Sequence, residues 1–151
     1  MNLLQIDYEK LQSSSALLID SLTRLPPLVP SLLNNSLAME PYDALASRFE
    51  RLVEIALNRF FRSVELHQFG KKSESLRDRL LNMQKIGLVN SVELWMEMRD
   101  FRNRIAHDYL PEQLVAMLNT IRDRFREEID LTIAQCTSFM SRNQEKKNVP
   151  S

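Results

Sequence analysis

The chain has 151 residues, 44% of them hydrophobic and 26% charged, enough for one domain with a sizeable core and an ordinary balance for a soluble globular protein. Lysine plus arginine and aspartate plus glutamate both total 20, so the formal net charge is zero and nucleic-acid binding by bulk charge is not implied; any such contact must rest on a local patch. Only two glycines occur, which disfavours Gly-rich phosphate loops, dinucleotide folds and strands joined by tight turns.

From Ile6 to Leu25 apolar residues fall at helical spacing (Leu11, Ala16, Leu18, Ile19, Leu22, Leu25), interrupted by the polar run Gln12 to Ser15. Pro26, Pro27 and Pro30 break this helix. Val29 to Glu40 reads as a connector with a short helical turn around Ser31 to Leu37, and Pro41 suits the first turn of the next helix. Tyr42 to about Leu66 is the strongest helical pattern: Leu45, Phe49, Leu52, Val53, Ala56 and Phe60 follow the repeat, and Leu57, Phe61 and Val64 widen the stripe. That breadth is compatible with core packing plus a dimer contact. Glu50, Glu54 and Glu65 on the same helix read as a solvated face, and Gly70, Lys71 and Lys72 as a polar loop.

Ser75 with Asp78 opens a short helix through Leu80, Leu81 and Met83, which Gly87 closes. Asn90 with Glu93 repeats the start signal, and Val92, Leu94, Trp95, Met98 and Phe101 lead into the chain's most unusual stretch. Pro111 and Glu112 open a last long helix through Leu114, Leu118, Ile121, Phe125, Ile129, Leu131, Ile133 and Phe139. The polar tail from Arg142 onward is expected to fray. The pattern predicts an all-α fold, an antiparallel bundle of about five helices, in one domain over residues 1–145 with residues 146–151 as tail. Cys136 is the only cysteine, so no intrachain disulfide can form and a reducing cytoplasm fits best. No apolar run reaches membrane-spanning length.

The stretch Arg99 to Pro111 places a cation, an amide, an imidazole and a phenol close together. At 3.6 residues per turn, Asp100, Asn103 and His107 share a stripe, and Arg102 lies about 100° to its side. Leu110 precedes Pro111, so the helix should end near His107 to Tyr109. A helix C-terminus favours positive charge, and an imidazole among fixed arginines suits acid–base chemistry on a phosphate. The spacing also admits a bland reading: Arg102 pairs with a carboxylate elsewhere and His107 caps the helix. Arg62 and His67 repeat the same interval without the asparagine and tyrosine, and read as coincidence. Arg122, Arg124 and Arg126 read first as a mixed-charge surface and second as a phosphate-contacting patch. No His-x-x-x-His or Cys-x-x-Cys pair occurs, so neither a metal site nor a cofactor is expected.

The run Trp95 to Tyr109, Trp-Met-Glu-Met-Arg-Asp-Phe-Arg-Asn-Arg-Ile-Ala-His-Asp-Tyr, resembles the signature of the HEPN superfamily in its HepT-like branch, often described as nucleotidyltransferase substrate-binding subunits. Arg102, Asn103, His107 and Tyr109 fill the motif, with Arg99 and Asp100 before it. The resemblance implies a homodimer whose two motifs meet in a cleft, and a metal-independent endoribonuclease toxin. On it, His107 would act on the ribose 2′-hydroxyl, Arg102 would steady phosphate charge and Asn103 would orient the groups, with Arg99 and Asp100 in support. It further implies a small nucleotidyltransferase antitoxin that can transfer AMP to Tyr109. Arg104 has no counterpart expectation. The alternative is a non-catalytic substrate-binding subunit of a nucleotidyltransferase.

Overall fold

The computed structural model describes residues 2–107 and 109–148. Its elements in chain order are α1 (Leu3–Arg24), a 3-10 turn (Pro30–Leu32), α2 (Ser36–Ile55), a π turn (Ala56–Phe60), α3 (Phe61–Phe69), α4 (Leu76–Lys85), α5 (Val92–Ala106), α6 (Pro111–Thr120), a second π turn (Ile121–Phe125) and α7 (Arg126–Asn148). The π turns join α2 to α3 and α6 to α7 without a break, so the chain forms five helical rods, and there is no strand among the described residues. None of the helices is long and apolar enough to cross a membrane.

Cross-element bonds give the directions. Ser21 meets Arg48 while Asp7 meets Ser63, so α1 runs antiparallel to the α2–α3 rod. Asn90 meets Gln135, Trp95 meets Thr132 and Glu97 meets Arg124, so α5 runs antiparallel to the last rod. Tyr8 bonding Thr137 ties α1 to α7 as well.

Short polar side chains fix the starts. Asn2 accepts from the Gln5 N–H at 2.9 Å, Asn35 from Ala38 at 3.0 Å, Ser75 from Asp78 at 3.1 Å and Ser91 from Leu94 at 3.1 Å. The cap of α5 is thus Ser91, one residue beyond the expected Asn90. Asn90 and Ser91 instead give their backbone N–H groups to buried Glu128 of α7, at 3.0 and 2.7 Å. Burial pushes the Glu128 carboxyl above its usual range, against the pull of those N–H groups.

Two boundaries correct the sequence reading. Asn35 caps the second rod early, so Pro41 sits inside α2 rather than in its first turn. It withholds the hydrogen bond that a residue there would give Leu37, whose exposed position lets water serve that carbonyl. The last helix also continues through the polar tail as far as Asn148; of the expected tail, residues 149–151 lie outside the described residues.

The α2–α3 stripe forms the centre of the core. Phe49, Leu52, Val53, Ala56, Phe60, Phe61 and Val64 are all fully buried, each large one contributing roughly 1.5–3 kcal/mol. Phe49 stacks on Phe125 at 5.8 Å, and Phe61 meets Trp95 edge-on at 5.6 Å. The whole stripe is thus consumed within one chain, and it offers nothing to a dimer contact. Glu65 overturns the solvated-face reading outright. It is 0% exposed and receives the Ser73 N–H at 3.1 Å, the Ser73 hydroxyl, the Arg79 guanidinium at 2.7 Å and the Asn82 amide at 3.0 Å.

Candidate functional site

The last turn of α5 carries the motif to the surface. Ile105 packs inward while Asn103, Arg104, Ala106 and His107 face solvent. His107 is the residue at which the helix stops: its φ and ψ of −116° and −116° leave the helical region, and its N–H still reaches the Arg104 carbonyl at 3.3 Å. The helix therefore ends where the proline at 111 leads one to expect. His107 is thus an exposed residue at a helix C-terminus, the end that favours positive charge. Tyr109 follows, 38% exposed, just before α6. That helix starts at Pro111, with the Gln113 side chain accepting from the Leu110 N–H at 3.0 Å.

Arg102 turns toward α2. Its guanidinium donates to the Glu54 carboxylate and stands 3.4 Å from the Asn103 side-chain oxygen. The Arg102 side chain is 26% exposed and that of Glu54 46%. Together with Ser47, Glu50, Arg51 and Ala106 they line an open groove of about 370 Å³ between α2 and the end of α5. Burial raises the Glu50 carboxyl above its ordinary range, and the positive charge of Arg102 opposes that shift. Arg99 and Asp100 bond each other at 2.9 Å at the surface. Arg104 lies over the Phe101 ring at 5.5 Å, a cation–π contact.

The bland reading of the spacing is therefore realised in both parts: Arg102 has its carboxylate and His107 caps its helix. Neither is withdrawn into the interior, however, and Arg102 and Ala106, the residue before His107, share one groove. Asn103 stands with Arg102, while His107 is one turn further on. Glu54 is the residue that sequence reasoning assigned elsewhere, since its partner is 48 positions away and no local pattern reports that contact. The second arginine cluster is engaged within the fold rather than held out for a phosphate. Arg122 donates to the Leu22 and Leu25 carbonyls at 3.0 and 2.5 Å, Arg124 pairs with Glu97 at 2.6 Å, and Arg126 lies 3.7 Å from Asp130. His67 stands 3.3 Å from the Asn143 amide rather than near the motif.

An all-helical bundle with an Arg-Asn-x3-His-x-Tyr cluster exposed at one helix end defines the class. The family described as nucleotidyltransferase substrate binding protein like matches residues 18–137, most of the chain and the whole of the cluster. The chain belongs to that family, in agreement with its HepT-like resemblance. A search of curated proteins gives no match.

Proposed function

We propose that the chain is a metal-independent endoribonuclease, the toxin of a pair with a nucleotidyltransferase antitoxin. The observation that carries this is the open groove in which the Arg102 guanidinium meets solvent next to the exposed helix end bearing His107. In this reading His107 takes the proton of a ribose 2′-hydroxyl. The freed oxygen attacks the adjacent phosphorus, the 5′-oxygen leaves and collects a proton, and the ends are a 2′,3′-cyclic phosphate and a 5′-hydroxyl. Arg102 exchanges Glu54 for the phosphate oxygens, a bidentate anion it fits equally well. Asn103 orients the guanidinium, and Arg99 and Asp100 hold the preceding turn. A second copy would bring a second motif to the cleft. AMP placed on Tyr109 would put an anion beside the groove and repel RNA phosphates.

The test is cleavage of RNA by purified protein in the presence of a chelator, with product ends mapped. His107→Ala should lose cutting by at least about 100-fold, the usual share of a general acid–base group. Wild-type cutting by that variant removes the mechanism. The family description favours a second reading, a non-catalytic subunit that presents substrate to a nucleotidyltransferase. It predicts a stable complex with such a partner and no cutting above background.

A further inference from the structure

Most arginines of this chain are committed. Arg24, Arg48, Arg77, Arg79, Arg99, Arg102, Arg124 and Arg126 have carboxylate partners, and Arg122 binds backbone carbonyls. Arg51, Arg59 and Arg62 have no carboxylate within 4.0 Å among the described residues, and all three are exposed on the α2–α3 rod. Arg51 lines the motif groove. Arg59 and Arg62 line a second opening of about 290 Å³ with Asp7, Glu54, Asn58 and Ser63. Glu54 lines both, so the two openings adjoin at that residue.

Three acids share this surface, Glu50 of the motif groove among them. Glu54 takes Arg102 and the Asn58 amide, and buried Asp7 accepts the Ser63 hydroxyl at 2.5 Å. The two openings together are lined by four arginines (Arg51, Arg59, Arg62 and Arg102) against three carboxylates (Asp7, Glu50 and Glu54), and Arg59 and Arg62 are the exposed cations of the second. The π turn Ala56–Phe60 holds Arg59, and Arg62 follows it in α3. Glu54 to Arg62 spans eight residues, about 12 Å at helical rise, which matches roughly three to four nucleotides of a stacked strand at 3.4 Å each. Leu3 and Leu66, 58% and 40% exposed, give the second opening an apolar border against which bases can lie. An open path of this length with Arg59 and Arg62 spaced along it suits a chain of phosphates better than a single small anion.

We propose that Arg59 and Arg62 bind the phosphates of the RNA strand about three nucleotides away from the position held by Arg102, with Arg51 on the other side of Glu54. This rests on the ribonuclease reading for its substrate, but its test has a readout of its own. Two assays are compared for wild type, Arg59→Ala/Arg62→Ala and Arg59→Lys/Arg62→Lys. One follows turnover of a twelve-nucleotide RNA and of a dinucleotide. The other follows binding of a deoxyoligonucleotide, which has no 2′-hydroxyl to be cut, across a salt series. The alanine pair should raise KM for the long RNA about tenfold, leave dinucleotide turnover unchanged, and flatten the log-affinity against log-salt slope by about 1.4, at roughly 0.7 per phosphate on a single strand. The lysine pair should retain most of the affinity. Unchanged affinity and slope in the alanine pair overturn the proposal, as does an equal loss on the dinucleotide. Wild-type protein that binds the strand without cutting RNA overturns the ribonuclease reading alone. Wild-type protein that binds neither strand overturns both.

Discussion

Glu54 decides how much of the Arg102 charge reaches a ligand. The pair is partly exposed, so its contribution to stability is at most about 1 kcal/mol. Its effect on an incoming phosphate is larger, because carboxylate and phosphate compete for the same planar donors. Glu54→Gln should therefore leave thermal stability nearly unchanged while tightening oligonucleotide binding several-fold at low salt. Weaker binding would mean that the carboxylate holds Arg102 in its binding position rather than competing for it. The identity of this partner could not be read from sequence. Arg102, Asn103 and His107 are legible because they are neighbours on one helix, whereas a contact between α2 and α5 depends on tertiary packing.

Glu65 shows the opposite error at the same scale. On a helical wheel it resembles Glu50 and Glu54, yet it is sealed beneath the loop joining α3 to α4. Burial alone would raise its carboxyl; the hydrogen bonds from Ser73, Arg79 and Asn82 outweigh this and hold it below the usual value of 4.5. A depressed folded-state pKa gives stability that is present above the unfolded value and lost as pH falls through the folded one. Glu65→Gln should flatten the loss of stability below about pH 4.5 and lower stability at neutral pH, where the Arg79 cation keeps no counter-charge. A chemical-denaturation series from pH 3 to 7 reads both. A parallel acid limb in wild type and variant would place the titration elsewhere.

At the scale of elements, the stops were more legible than the irregularities. Proline after Leu25 and glycine after Phe69 act through backbone geometry, which any sequence displays. Gly70 has a φ of 74° as the cap of α3, and the space a Cβ would occupy there is open, so Gly70→Ala meets backbone strain and no clash. It should cost about 1 kcal/mol, seen as a lower denaturation midpoint with an unchanged slope. The π turns left no sequence signal. The apolar repeat passes through Ala56–Phe60 without a gap, because the extra residue per turn only rotates the buried stripe. Arg59 lies within that turn and Arg62 just after it, both lining the second opening, so the part of the surface most relevant to a long ligand adjoins the irregularity least visible in the pattern.

At the scale of the molecule, α7 joins the rods into one unit. Ile129, Thr132, Cys136, Phe139 and Met140 are buried along it, with Thr132 bound to Trp95 of α5 at 3.2 Å and Thr137 to Tyr8 of α1 at 2.9 Å. Peeling α7 away would expose the centre of the bundle, so local opening there should cost nearly as much as unfolding. Cys136 reports this directly. Its thiol is 0% exposed and burial pushes its pKa up to about 12, so the folded chain offers almost no reactive thiolate at neutral pH. Labelling by a thiol reagent should be slow in buffer and should accelerate with denaturant along the same curve as loss of helix. Oligonucleotide bound only to the folded chain should slow it further, by the factor 1 + [L]/Kd. Fast labelling in buffer, with helix content intact, would show that α7 detaches on its own and that the bundle is two cooperative units rather than one.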